Sequence, residues 1–185
     1  MKRHFRDYIP LLVITAIVLF FDQWTKYLVR TGLPYTEVWA PWDWLLPYAR
    51  IVHWQNTGAA FGMFQGMSLV FATLAVIVSV AIVYYFPLVP KEDWLIRLAL
   101  GLQLGGALGN LIDRIQYGGA VTDFVSVGRF AVFNVADASI SVGVVLLILG
   151  MWQHERRLER AKHQTDPALA PESSPTSTPE QPNGE

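Results

Sequence analysis

LIRLALGLQLGGALGNLIDRI, residues 95–115, is the stretch on which the fold class turns. A helix of about 20 residues crosses the roughly 30 Å of hydrocarbon in a bilayer, and this run is long and apolar enough to do so. Gly101, Gly105 and Gly109 recur at four-residue spacing on one face. Such a stripe lets a second helix approach closely in lipid. The same segment ends on Asn110, Asp113 and Arg114, at i, i+3 and i+4, so these residues are expected to face one neighbour near the helix end, with Asp113 and Arg114 placed to neutralise each other.

Working outward, three more segments have the same length and character, about 10–31, 67–88 and 134–153, and with 94–115 they make four. The chain has 185 residues, of which 52% are hydrophobic and 13% aromatic, and its mean hydropathy is +0.32. That is too apolar for an ordinary soluble domain of this size. The reading is an all-α membrane protein with four transmembrane helices. The first follows a basic stretch, Lys2, Arg3, His4 and Arg6, but its apolar run is too long for a signal peptide and no small-residue cleavage site follows it closely.

Orientation follows from the basic residues. The N-terminal cluster, Lys91 and Arg97 between the second and third helices, and Arg156, Arg157, Arg160 and Lys162 after the fourth mark cytoplasmic faces by the positive-inside rule. Both termini are then cytoplasmic, and the connections 32–66 and 116–133 lie outside. A net charge of -1 gives no argument for nucleic acid, since topology already explains the basic residues. Cysteine is absent, which excludes disulfides, thiol nucleophiles and cysteine-ligated metal.

The outer segment 32–66 holds Trp39, Trp42, Trp44 and Trp54 with Tyr35 and Tyr48, an arrangement typical of an interfacial aromatic belt. Its stretch EVWAPWDWLLPYARIVHW, residues 37–54, alternates weakly and carries Pro41 and Pro47. Short irregular strands are expected, forming a small, partly β extracytoplasmic subdomain on the membrane surface. The membrane domain therefore spans 1–163. From 164 the chain reads QTDPALAPESSPTSTPEQPNGE, the composition of a disordered cytoplasmic tail. A truncation ending near Lys162 is expected to retain activity.

Polar groups among apolar helices demand an explanation, because a charge at or inside a membrane costs several kcal/mol unless paired or hydrated. Asp22, in LFFDQWTK, lies about 18 Å along its helix from Pro10. It pairs at i,i+4 with a Lys26 snorkelling toward the surface, or it is a structural carboxylate bonded to the outer segment. NTGAAFG, residues 56–62, is either a loop-to-helix turn or a backbone that approaches a ligand. Asn134 and Asp137, in FNVADASIS, resemble a helix N-cap with its acidic partner.

Asp123, in VTDFV, stands 14 residues before Asp137 on the same outer side, so a chain reversal would bring the two carboxylates together. Two such groups a few ångströms apart cannot both ionise cheaply; one holds a proton while the other serves as a base. A dyad of this kind can deprotonate water and protonate a departing amine. Competing machinery is sparse. His4, His53, His154 and His163 are dispersed, no HExxH occurs, and Lys26 is the only outer lysine for a Ser–Lys pair. A proton- or ion-coupled transporter would also use membrane carboxylates, but four spans without an inverted repeat count against it. A non-catalytic scaffold would need neither aspartate.

Taken in order over the four spans, FDQWTK, NTGAAFG, GNLIDRI, VTDFV and FNVADA resemble the lipoprotein signal peptidase (signal peptidase II) family, over roughly residues 15–145. The resemblance implies a bacterial inner-membrane aspartic endopeptidase, without cofactor or metal. Such an enzyme cuts prolipoproteins just before the diacylglyceryl-modified cysteine, works as a monomer in contact with membrane lipid, and is inhibited by the cyclic peptide globomycin. By motif match Asp123 and Asp137 correspond to the catalytic dyad. Asp22, Asn56, Gly58, Asn110, Asp113, Arg114, Asn134 and Ala136 fall on the surrounding substrate-binding or supporting positions. The interval between VTDFV and FNVAD is several residues shorter here than that family's pattern, so the connection covering the site is expected to be short.

Overall fold

The structure, a computed structural model, describes residues 5–58 and 63–165. The tail expected from 164 lies outside these from residue 166 onward, as do Lys2, Arg3, His4 and the Ala59–Gly62 part of NTGAAFG.

Four helices long and apolar enough to cross a membrane account for most of the described chain. Helix α1, Ile9–Gly32, has Pro10 at its start, where a missing N–H costs nothing, and stops where Leu33 turns extended and its N–H bonds the Val29 carbonyl. Helix α2, Ser68–Tyr85, is apolar on every side. Helix α3 runs Trp94–Gln116 and α4 Val135–Thr165. The last exceeds the expected 134–153, because HERRLERAKH is made of good helix formers and the backbone does not stop where the apolar stretch does. By packing, the chain falls into two units that divide between Met151 and Trp152. In the second, Arg156 lies over the Trp152 ring at 3.8 Å.

Within the first unit α3 is the centre. Half of its most apolar window is buried inside the protein, against 22% for α1 and 17% for α2, whose remaining apolar surface faces outward. The glycines explain the close packing. A Cβ on Gly101 would meet Ile14 at 2.7 Å, and one on Gly105 would meet Val18 at 2.6 Å, so this stripe receives α1. Gly106 receives α4, where a Cβ would meet the Ala136 carbonyl at 2.5 Å.

Three strands cap the end where α1 and α3 finish and α2 and α4 begin. Strand β1, Val38–Trp39, and β2, Ala49–Asn56, come from the outer segment, broken by a 3-10 turn at Asp43–Leu45. The third, β3, Val121–Val127, comes from the connection before α4, for which the sequence pattern predicts only a chain reversal. The sheet is antiparallel in the order β1-β2-β3. Its register sets Trp54 opposite Asp123 and Asn56 opposite Val121, with an irregularity between Ile51 and Trp54. His53 ties the sheet to α1 through a 2.8 Å hydrogen bond between Nδ1 and the Leu33 carbonyl. Trp39, Trp42, Trp44 and Trp54 are all exposed.

Candidate active site

Asp123 is held by the sheet and Asp137 by the first turn of α4, and one side chain, Asn134, ties them together. Its Nδ2 donates to Asp123 Oδ1 at 2.7 Å, while its backbone N–H donates to Asp137 Oδ2 at 3.1 Å. In return the Asp137 N–H donates to Asn134 Oδ1 at 2.9 Å. This is a reciprocal cap of the α4 N-terminus. The side chain that caps α4 thus also reaches Asp123.

Two more amides complete the oxygens. Asn56 at the end of β2 donates to Asp123 Oδ2 at 3.1 Å, and Asn110 on α3 donates to Asp137 Oδ1 at 2.8 Å. Asn56 also accepts the Gly58 N–H at 2.9 Å. A side chain at Gly58 would run into the Met63 carbonyl, which explains the small residue there. Burial, then the neighbouring Asp137 charge, pushes Asp123 up from 3.8 to about 7, against the opposing pull of Asn56, Asn134 and Lys26.

Behind this pair lies a buried charge cluster. Lys26 Nζ lies 2.9 Å from Asp22 Oδ2 and 3.3 Å from Asp113 Oδ2, all three side chains wholly inaccessible. It also donates to Asn110 Oδ1 at 2.9 Å. The i,i+4 pair thus forms, but Lys26 points into the protein and does not snorkel. Asp22 uses its other oxygen to accept the Ala136 N–H at 2.9 Å, fixing the start of α4 where an attachment to the outer segment was the alternative. Asp113 accepts the Thr122 N–H at 2.9 Å, fixing β3 next to Asp123.

The expected Asp113–Arg114 neutralisation does not form. Asp113 turns toward Lys26 and Arg30, the latter at 3.5 Å, whereas Arg114 turns toward α2, over the Phe71 ring at 5.6 Å. Residues i+3 and i+4 straddle the helix face closely enough for two different neighbours to claim them. Sequence reasoning left Lys26, Gln23, Arg30 and Thr122 out of the site. Gln23 bridges Asp22 and Asp113 at 3.1 Å each, and Arg30 donates to Thr122 at 3.0 Å. For Lys26 the signal lies in FDQWTK, where one of the two readings of Asp22 already pairs it with that lysine at i,i+4.

Both carboxylates open onto a cavity of about 560 Å³ lined by Asn56, Gly58, Asn110, Arg114, Phe130–Phe133 and the outer turns of α4. A second, of about 250 Å³ between α2, α3 and α4, shares Phe71, Asn110, Arg114 and Ile140 with it. The result is a paired-carboxylate site at one end of a bundle of membrane-spanning helices, reached through an apolar cleft.

That class of protein has close relatives. Residues 14–153 match the family model described as Signal peptidase (SPase) II. The chain is 38% identical to the lipoprotein signal peptidase of Halalkalibacterium halodurans, over 82% of its own length and 97% of the relative's. To that of Mesorhizobium japonicum it is 42% identical, over 75% and 81%. A solved structure described as a bacterial membrane enzyme matches with a TM-score of 0.70 and 31% identity, over 77% of this chain and 87% of that one. A second, described in the same words, gives 0.67 and 32% over 76% and 91%. The chain belongs to the signal peptidase II family, and it is a multi-pass bacterial membrane protein.

Proposed function

We propose that the protein is an aspartic endopeptidase of the bacterial inner membrane that removes signal peptides from prolipoproteins, cutting before the diacylglyceryl-modified cysteine. The observation that carries this is the convergence of Asp123 and Asp137 on Asn134 at the wall of one cavity. In this reading Asp137, on the first turn of α4 where a helix N-terminus favours negative charge, is the ionised base, and Asp123 carries the proton.

Water held between them gives a proton to Asp137 as its oxygen attacks the scissile carbonyl carbon, whose oxygen takes a hydrogen bond from Asp123. As the tetrahedral intermediate collapses, the carbon–nitrogen bond breaks and Asp137 returns the proton to the departing amine of the cysteine. Arg114, whose Nε is buried without a partner among the described residues, orients the substrate backbone together with Asn56 and Asn110. Substrate enters sideways from lipid, its diacylglyceryl chains staying in the bilayer and the tryptophan-rich segment closing over it. The cyclic peptide globomycin would occupy the same cavity. The end carrying Arg6, Lys91 and Arg97 is cytoplasmic by the positive-inside rule, which puts the dyad at the extracytoplasmic boundary and both termini inside. The enzyme acts as a monomer.

The test is cleavage of a diacylglyceryl-modified prolipoprotein by purified protein in detergent or lipid. Cleavage before the modified cysteine by the wild type, lost in folded Asp123→Asn and in folded Asp137→Asn, is the expected outcome. Full activity in either variant would remove the dyad from the mechanism.

A further inference from the structure

The dyad occupies one end of the bundle; a separate cavity of about 470 Å³ lies at the other, where α1 and α3 begin, lined by Arg6, Asp7, Pro10, Ile14, Lys91, Trp94, Arg97 and Leu98. Along α3, Arg97 and Asn110 are 13 residues apart, roughly 20 Å of helix. Nothing in the proposed mechanism uses this cavity.

Among the described residues that line it, basic side chains outnumber acidic ones. Arg97 is buried, 8% exposed, and no carboxylate among the described residues forms an ion pair with it. Two carbonyls hold it instead: Nη1 donates to Val89 O at 3.0 Å and Nη2 to Asp7 O at 2.9 Å, and the guanidinium lies 4.2 Å from the Phe86 ring centre. Carbonyls and a ring face orient a guanidinium without cancelling its charge. Lys91, 77% exposed, reaches the Asp7 carboxylate at 3.3 Å, so the one acidic lining residue is already engaged. Counting Arg6, Lys91 and Arg97 against Asp7 leaves two positive charges on the wall.

The rest of the wall is apolar and runs along the helices. Pro10 and Ile14 on α1 and Leu98 on α3 form its floor, and Trp94, 62% exposed, stands at its rim. Exposed indole at this level is the usual marker of the headgroup region. Cationic groups above an apolar floor match an anionic headgroup joined to acyl chains, and basic pockets between membrane helices recognise such lipids. An inorganic phosphate would satisfy the cations but leave the floor uncovered.

We propose that this cavity binds the phosphodiester headgroup of an anionic phospholipid, with its acyl chains lying along Pro10, Ile14 and Leu98. The ligand would bridge Arg6 and Lys91 and so clamp the start of α1 to the α2–α3 connection, which Arg97 already ties to Asp7. This site is independent of the proteolytic reading.

The experiment is thermal denaturation and native mass spectrometry of the full chain in detergent, titrated with phosphatidylglycerol, phosphatidylcholine or inorganic phosphate. Wild type and the double variant Arg6→Gln/Lys91→Gln are compared; both positions are at the surface, and Arg97 is kept. Saturable binding and a raised Tm with phosphatidylglycerol alone are expected, weakened about thirtyfold in the double variant, since each basic group near an anionic lipid accounts for about fivefold. Equal response to phosphatidylcholine, or unchanged phosphatidylglycerol binding in the double variant, would overturn the proposal. Saturation by inorganic phosphate at the same sites would overturn the lipid assignment. Prolipoprotein cleavage in the same preparation tests the dyad separately, because loss of lipid binding and loss of catalysis arise at opposite ends.

Discussion

Asp22 and Asp113 share a lysine that is wholly buried with them, whereas Asp123 and Asp137 share one asparagine, Asn134, and border a cavity. The two pairs are joined through Asn110, which accepts from Lys26 and donates to Asp137. Their chemistry is the same and their surroundings differ in one respect. A buried lysine supplies a fixed counter-charge to the inner pair, whose carboxylates also accept the backbone N–H groups of Ala136 and Thr122. Amides orient a carboxylate without neutralising it, so in the outer pair a proton has to serve as the counter-charge. The inner pair builds α4 and β3 into place; the outer pair is left able to exchange a proton.

The comparison can be broken most severely at the outer pair. Asp123→Asn or Asp137→Asn is expected to lower prolipoprotein cleavage by about a thousandfold, the scale of losing an acid–base partner. Stability should move the other way. Because folding raises Asp123 from 3.8 to about 7, the folded protein binds that proton more tightly than the unfolded chain, and this group's contribution to stability falls as pH rises through that window. Asp123→Asn should therefore melt no lower than wild type at pH 8, as read by thermal denaturation in detergent. A large drop in Tm there would mean that the outer pair is structural after all.

At the inner pair the expectation is reversed. Lys26→Met leaves buried Asp22 without its cation and Asp113 with Arg30 alone, and should cost about 3–5 kcal/mol, measured by denaturant unfolding in mixed micelles. A Lys26→Met protein as stable as wild type would dissolve the distinction between the pairs. Gly109→Ala probes the same cluster more gently. Its Cβ would meet Asp22 Oδ2 at 2.6 Å and Ala136 Cβ at 3.3 Å, so a loss of about 1–3 kcal/mol is expected from overpacking.

The smallest effect sharpens the outer pair. With the proton on Asp123, cleavage should decline as pH rises past about 7, because the pair then loses its acid. The Asn56 hydrogen bond favours the charged form of Asp123, so Asn56→Ala should move this alkaline limb upward in a pH–rate profile. A downward movement would contradict the assignment of the limb to Asp123.

Much of this architecture was legible in the order of residues. The four spans follow from apolar runs of bilayer length, and helix and observed segment agree closely for α1, α2 and α3. Asp123, Asp137, Asn56, Asn110 and Asn134, all picked out by their motifs, are joined by hydrogen bonds. What stayed hidden depended on contacts between distant segments. Strand β3 was unreadable because VTDFVSV becomes a strand only by pairing with Ala49–Asn56, some 70 residues earlier. The direction of Lys26 was undecidable because an i,i+4 pair with Asp22 forms equally well at the surface or inside; only Asp113 and Asn110 on α3 draw it inward.

Composition and hydrophobic run length by themselves determined that this chain lives in a membrane, because transfer of about 20 apolar residues into hydrocarbon is a local property that needs no partner. The absence of cysteine alone likewise excluded thiol chemistry. Tertiary structure decided which carboxylates are buried against a lysine and which line a cavity. That choice depends on which charge or amide each oxygen meets, and those partners come from α1, α3, β2 and the start of α4, segments that only packing brings within hydrogen-bond distance.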